Sequence, residues 1–336
     1  MNVVLIIPTG LGAEIGGHAG DANPVAKLIA GCCDILITHP NVVNASDHNE
    51  MTVNTLYVEG SILDRFLRGE IKLKPVKTYN RILCVVNPPI TNESINAVST
   101  ARMTLGADIK VLELIEPLIM KAYFKGGKAT GSVSGIDALI EQVNEYYDEF
   151  DALALHTKID VEDVEGALKY LNSSGGVNPW GGVEAKTSKR IADALDKPVA
   201  HAPFGHTVDA DFDEIVDPRM AAEMVSYTYI QCVFKGLHKA PRISRASGMS
   251  ISDIDLLISP LCSVGEPHWA CEKAGIPIIV VKDNKALGNK EMYFKACSDK
   301  YIFVNNYLEV AGLIMAMKSG VYWKTVLRPV DKTRCI

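Results

Sequence analysis

Asp34-Ile35-Leu36-Ile37-Thr38-His39-Pro40 decides the fold. A short apolar run that stops at a histidine and a proline reads as a buried parallel strand ending at a loop. The same grammar recurs in Asp151-Ala152-Leu153-Ala154-Leu155-His156-Thr157 and in Lys197-Pro198-Val199-Ala200-His201-Ala202-Pro203. Each run follows a helix-like segment, so the chain reads as repeated βαβ units on a mostly parallel sheet with helices on both faces. The expected fold is therefore α/β, a three-layer αβα sandwich with a Rossmann-like sheet. Ligands of such sheets bind beyond the carboxyl ends of the strands, where these histidines stand.

Working outward, strands are expected at Val3–Ile7, Ile35–Thr38, Leu56–Val58, Ile82–Asn87, Ile109–Leu114, Ala152–Leu155, Val199–Ala200, Leu256–Ser259, Ile276–Val281 and Ile302–Val304. Helices are expected at Pro24–Cys33, Ser61–Arg68, Glu93–Leu105, Gly135–Tyr147, Val161–Leu171, Val183–Leu195, Pro218–Lys235, Pro267–Ala274 and Tyr307–Met317. Segment 236–250 is the best boundary candidate and Lys72–Tyr79 a weaker one. They divide the chain into a main α/β domain, 1–240, and a C-terminal lobe, 241–336, unless the whole is one domain.

With 336 residues, 48% hydrophobic and 22% charged, the chain has the composition of a globular protein. A net charge of −6 without a polybasic block argues against nucleic acid or an anionic membrane as partner. No signal peptide is read at the start, and Val310–Met317 is well short of a membrane span. The eight cysteines form no CxxC pair, so they read as reduced thiols of a cytoplasmic protein. A homo-oligomer is left open.

Several loops carry polar residues suited to chemistry. Thr9-Gly10-Leu11-Gly12-Ala13-Glu14-Ile15-Gly16-Gly17-His18-Ala19-Gly20-Asp21 follows the first strand, and its glycines would let backbone N–H groups approach a ligand. It is not a dinucleotide fingerprint, because the helix starts late and the second strand lacks a ribose-binding acid; NAD(P) is not expected. Gly126-Gly127-Lys128-Ala129-Thr130-Gly131-Ser132 precedes a helix and reads as a flexible or anion-binding loop. Asn178-Pro179-Trp180-Gly181-Gly182-Val183-Glu184 offers Trp180 for stacking and Asn178 and Glu184 for hydrogen bonds. Ser263-Val264-Gly265-Glu266-Pro267-His268 opens a helix whose free N–H groups attract an anion. His48, His206, Asp209, Asp211 and Asp213 are weaker candidates, and His238 reads as structural.

Pro8-Thr9-Gly10-Leu11-Gly12-Ala13, Thr38-His39-Pro40-Asn41, Asn178-Pro179-Trp180-Gly181-Gly182 and Ala200-His201-Ala202-Pro203 together resemble a domain-of-unknown-function family of bacteria and archaea. That resemblance brings no activity, substrate or cofactor with it.

The residues thus point to a cytoplasmic enzyme acting on a small, polar, anionic metabolite, a hydrolase or lyase before an isomerase. His39, His156, His201, Glu184 and Glu266 are the expected catalytic groups. Thr9, Gly10, Gly12, Gly16, Gly17, Asp21, Asn41, Ser132, Asn178, Trp180, Gly182, Ser263, Gly265 and His268 are the expected substrate contacts. A divalent metal on His39, His156 and His201 is a further expectation. The alternatives are a sugar-nucleotide enzyme of two Rossmann-like lobes and a non-catalytic metabolite sensor.

Overall fold

The computed structural model describes all residues except 45–50, 173–175, 205–214, 227, 228, 288–300, 334 and 336. His48, His206, Asp209, Asp211 and Asp213 therefore lie outside the described residues. Strands run in chain order as β1 Asn2–Leu5, β2 Ile35–Thr38, β3 Thr55–Tyr57, β4 Lys72–Lys74, β5 Arg81–Val86, β6 Asp108–Glu113, β7 Ile119–Lys125 and β8 Lys128–Ser134. They continue as β9 Ala152–Thr157, β10 Ile159–Val161, β11 Val199–Pro203, β12 Arg242–Ser244, β13 Leu256–Leu261, β14 Ile278–Lys285 and β15 Tyr301–Val304. Helices are α1 Asn23–Cys32, α2 Pro40–Val43, α3 Gly60–Leu67, α4 Asn92–Leu105, α5 Ile136–Asn144, α6 Val164–Asn172, α7 Gly181–Leu195, α8 Ala221–Val225, α9 Ile230–Lys239, α10 Glu266–Ala274 and α11 Tyr307–Lys318.

The α/β sandwich stands, built on two parallel sheets. One has six strands in the order β15-β14-β13-β1-β2-β3 and the other four in the order β11-β9-β5-β6. Side-chain alternation assigns the faces. Val3, Leu5, Ile82, Cys84, Ala152 and Ala154 turn to the layer of α1, α11, α4 and α9. Val4, Leu83, Val85, Leu153 and Leu155 turn to the layer of α3, α10, α5 and α7. β9 and β11 meet α9 through the small residues Ala152, Ala154, Ala200 and Ala202, so that helix lies close to them. α9 also packs on β3, which ties the two sheets together.

Both boundary candidates mark places where the chain changes sheet. β4 and β12, one in each candidate segment, pair antiparallel as a short ribbon, Leu73 opposite Ile243. In residues 241–336, β13–β15 lie in the same sheet as β1–β3. Among the described residues, no helix is long and apolar enough to cross a membrane.

The glycine stretch at 126–135 is the main correction to the expected elements. Gly126 and Gly127 both have positive φ, 61° and 75°, as a two-residue type I′ hairpin turn requires. The residues beyond them form β8, antiparallel to β7. Ser132 is an exposed hairpin residue, and the segment is a strand rather than a loose loop.

The hairpin lies hard against the start of α7. A Cβ on Gly182 would stand 2.1 Å from the Ala129 carbonyl oxygen, and one on Gly131 would stand 2.5 Å from Val183 Cβ. Gly182→Ala should therefore cost about 1–3 kcal/mol, the usual penalty of overpacking. Gly31→Ala, on an open face of α1 with nothing within 4 Å, should instead gain up to about 1 kcal/mol of helix propensity. Urea denaturation of both variants checks the pair, and equal effects would refute the close contact.

Candidate functional site

The carboxyl ends of both sheets open on one cavity of about 550 Å³. Of the candidates named from the sequence, Thr9, His39, Asn41, Asn178, Trp180, Glu184, His201, Ser263 and Gly265 line it. Gly10, Gly12, Gly16, Gly17, Asp21, Ser132, His156, Gly182, Glu266 and His268 are not in its wall.

A carboxylate–imidazole pair dominates the chemistry of the wall. His201 Nδ1 lies 3.0 Å from Glu184 Oε1, with the imidazole side chain fully buried and the carboxylate 25% exposed. On its other side His201 Nε2 meets Thr157 Oγ1 at 2.9 Å. With the ring proton on Nδ1 donating to Glu184, Nε2 accepts from the threonine hydroxyl, and both nitrogens are used. The order acid, imidazole, hydroxyl matches a nucleophile triad, but burial runs the other way. Thr157 is 1% exposed, so its hydroxyl anchors the ring while Glu184 reaches the cavity. Glu184 also stands in the first turn of α7, where the helix dipole favours its negative charge.

Two further carboxyls share the cavity. Glu59 Oε2 accepts from the Ser61 N–H at 2.8 Å, the Ser61 hydroxyl at 2.5 Å and the Ile62 N–H at 3.3 Å. Burial nevertheless outweighs those bonds and pushes Glu59 up to about 7. Glu223 accepts from the Tyr170 hydroxyl at 3.3 Å and the Ala19 N–H at 3.4 Å, and burial pushes it up to about 7 as well. Neither residue was expected from the sequence. Glu59 had a signal, because it stands two residues beyond the end of β3, much as His39 follows β2. Glu223 had none, lying inside what reads as one long helix but is broken into α8 and α9.

The remaining expected groups have structural duties. His39 Nε2 accepts the Ile7 N–H at 3.0 Å, and burial lowers the ring to about 4, so it stays neutral with its proton on Nδ1. His156 is buried with Nδ1 3.3 Å from Ser94 Oγ, and burial, then the nearby His201, lower it to about 4. With His39 and His201 already bonded, the three rings do not converge, and among the described residues no three His, Cys, Asp or Glu are placed to hold a metal.

His268 is fully buried; its Nδ1 accepts the Gly265 N–H at 3.1 Å and its Nε2 donates to Ser259 Oγ at 2.8 Å, so it caps α10. Glu266 faces Arg68 at 3.5 Å, away from the cavity. The glycine loop folds on itself. A Cβ on Gly16 would stand 2.6 Å from Ile7 and one on Gly17 would stand 2.3 Å from the Ala13 oxygen. Gly12 is as tight, with the Gly176 oxygen 2.7 Å from its Cβ position, and Gly10 bonds the Ala129 N–H at 3.3 Å. Asp21 accepts from the Gly16 N–H, and burial pushes its carboxyl up to about 7. Asn41 ties the same loop down, donating to the Ile7 oxygen at 2.8 Å and the Gly16 oxygen at 3.0 Å.

Over residues 2–327 the chain matches a family described as "Protein of unknown function (DUF3326)", and it belongs to that family. It is 32% identical over 333 residues to an uncharacterized lipoprotein of Synechococcus sp., covering 95% of this chain and 91% of the relative. No solved structure matches it.

The raised carboxyl of Glu59 has a definite sign in stability. Its proton is held more tightly folded than unfolded, so its stabilising contribution is full below pH 4.5 and is lost as pH rises from 4.5 through about 7. Glu59→Gln, neutral at every pH, should therefore gain on the wild type by roughly 3 kcal/mol between pH 4.5 and pH 8. Denaturant melts of both proteins at the two pH values measure it; a pH-independent difference would refute the burial of a protonated carboxyl.

Proposed function

We propose that this chain is a proton-transfer enzyme, a hydrolase or lyase, acting on a small metabolite held between its two sheets. The observation that carries the reading is the Glu184–His201 pair, 3.0 Å apart, with the imidazole side chain covered and the carboxylate 25% exposed in the cavity wall. Glu184 is the base: it takes a proton from water, or from a carbon beside an activating group. Glu59 or Glu223, carrying a proton near neutrality, returns one to the leaving group. His201 is a positioning residue that fixes the carboxylate and shares its proton. Cysteines that are all free among the described residues support a cytoplasmic setting. Recovery of the chain in a membrane fraction, as the word lipoprotein in its relative's name would have it, would overturn that setting.

Glu184→Gln keeps the shape and one hydrogen bond, so it should lower turnover at least about 100-fold with little change in melting temperature. His201→Ala should in addition cost about 1–3 kcal/mol, because it strands the buried Thr157 hydroxyl. Mass spectrometry of a cell extract incubated with each protein supplies the readout. If Glu184→Gln consumes the same metabolite at the wild-type rate, the assignment fails. A metabolite that binds and is never altered would make this a binding protein.

A further inference from the structure

We infer that the ligand of this cavity is a small monocarboxylate with an apolar body and no phosphate, its carboxylate anchored by Lys128. The inference rests on the cavity assigned above and adds the chemical class of what it takes.

The charges of the wall argue for a single negative charge. Glu59, Asp64, Glu184 and Glu223 line the cavity against two cations, Lys128 and Lys189. Lys189 is already opposed by Asp64, 3.6 Å away. The Lys128 ammonium has neither an ion pair nor a hydrogen bond among the described residues, which leaves it free for a ligand anion. The hairpin sets the place of its backbone. It follows the Gly126-Gly127 turn and precedes Ala129, whose N–H bonds the Gly10 oxygen at 3.3 Å and whose carbonyl packs on Gly182.

A phosphate finds no cradle here. The first N–H groups of α3 are taken by Glu59 and those of α7 by Asn178, which accepts from Trp180 at 2.9 Å and Gly181 at 3.1 Å. At α10 the Gly265 N–H is spent on His268, Pro267 has no N–H, and Glu266 puts a carboxyl in the first turn. Helix ends that bind phosphate keep those donors open. A dianion would also face the acidic side chains of Glu184 and Asp64 with one free lysine, so a sugar-nucleotide diphosphate does not suit the site. The rest of the wall is apolar, with Leu11, Leu63, Leu171, Val233 and Val264 beside Trp180, and suits a hydrocarbon or aromatic body.

Calorimetric titration of the full chain with butyrate, hexanoate, octanoate, benzoate and phenylacetate, beside inorganic phosphate and UDP, tests this. We expect saturable binding of at least one carboxylate, tightening with apolar size, and none of phosphate or UDP. Lys128→Gln should weaken the best carboxylate at least tenfold while Lys128→Arg keeps it. Saturable binding of phosphate or UDP, no saturable binding by any of the carboxylates, or unchanged affinity in Lys128→Gln would each overturn the inference. Carboxylate binding through Lys128, with turnover indifferent to Glu184→Gln, would uphold this inference and overturn the proton-transfer reading alone.

Discussion

The approach of the first turn of α7 to two other backbones is the constraint on which the site depends. A Cβ on Gly181 would lie 2.0 Å from Thr9 Oγ1, and one on Gly182 would lie 2.1 Å from the Ala129 oxygen. At that one point the loop after β1, the β7–β8 hairpin and the helix carrying Glu184 are pressed together. Thr9 lies in the loop that leaves the first sheet and α7 packs on the second, so the contact also sets how the two sets of strand ends face each other. Side chains larger than hydrogen would separate the layers and carry Glu184 away from the opposite wall.

Burial then decides which polar groups are available for chemistry. His39, His156 and His268 are all lowered to about 4 by burial, and each has a ring nitrogen engaged by a nearby backbone or hydroxyl group. Held neutral, they work as shaped hydrogen-bonding blocks that close the ends of strands and helices. The carboxyls do the reverse: Glu59 and Glu223 are pushed up to about 7, where a carboxyl can both keep and release a proton. Strand-end imidazoles draw attention in the sequence, but the groups of the wall held near neutrality are the carboxyls of Glu59 and Glu223.

The strands were legible because each is a short apolar run bounded by turn residues, and all ten expected ones are found. β4, β7, β8, β10 and β12 were missed. Three of these are only three residues long, and β7 carries exposed Ile119 and Phe124, so apolar continuity does not mark it. β8 was hidden by Gly126-Gly127, a pair that reads as a loose loop unless its hairpin partner is recognised. The cavity lay where strand-end reasoning put it, yet the roles within it were not legible. Whether His201 or Glu184 meets the ligand depends on which is covered, and covering comes from parts of the chain far away. The same holds for His268, whose capping bonds to Gly265 and Ser259 look in the sequence like an invitation to a ligand.

The β1–β13 pairing has a consequence for the order in which the protein can be assembled. All four strands of the second sheet lie between residues 81 and 203, so that sheet has its full complement early in synthesis. β1 waits much longer, because its neighbour β13 pairs Val3 with Leu256. Until that partner emerges, the nascent chain carries an apolar strand with one side of its backbone unpaired, the feature that invites other chains to pair. Translation of this protein thus passes through a long interval in which its oldest strand is its least protected.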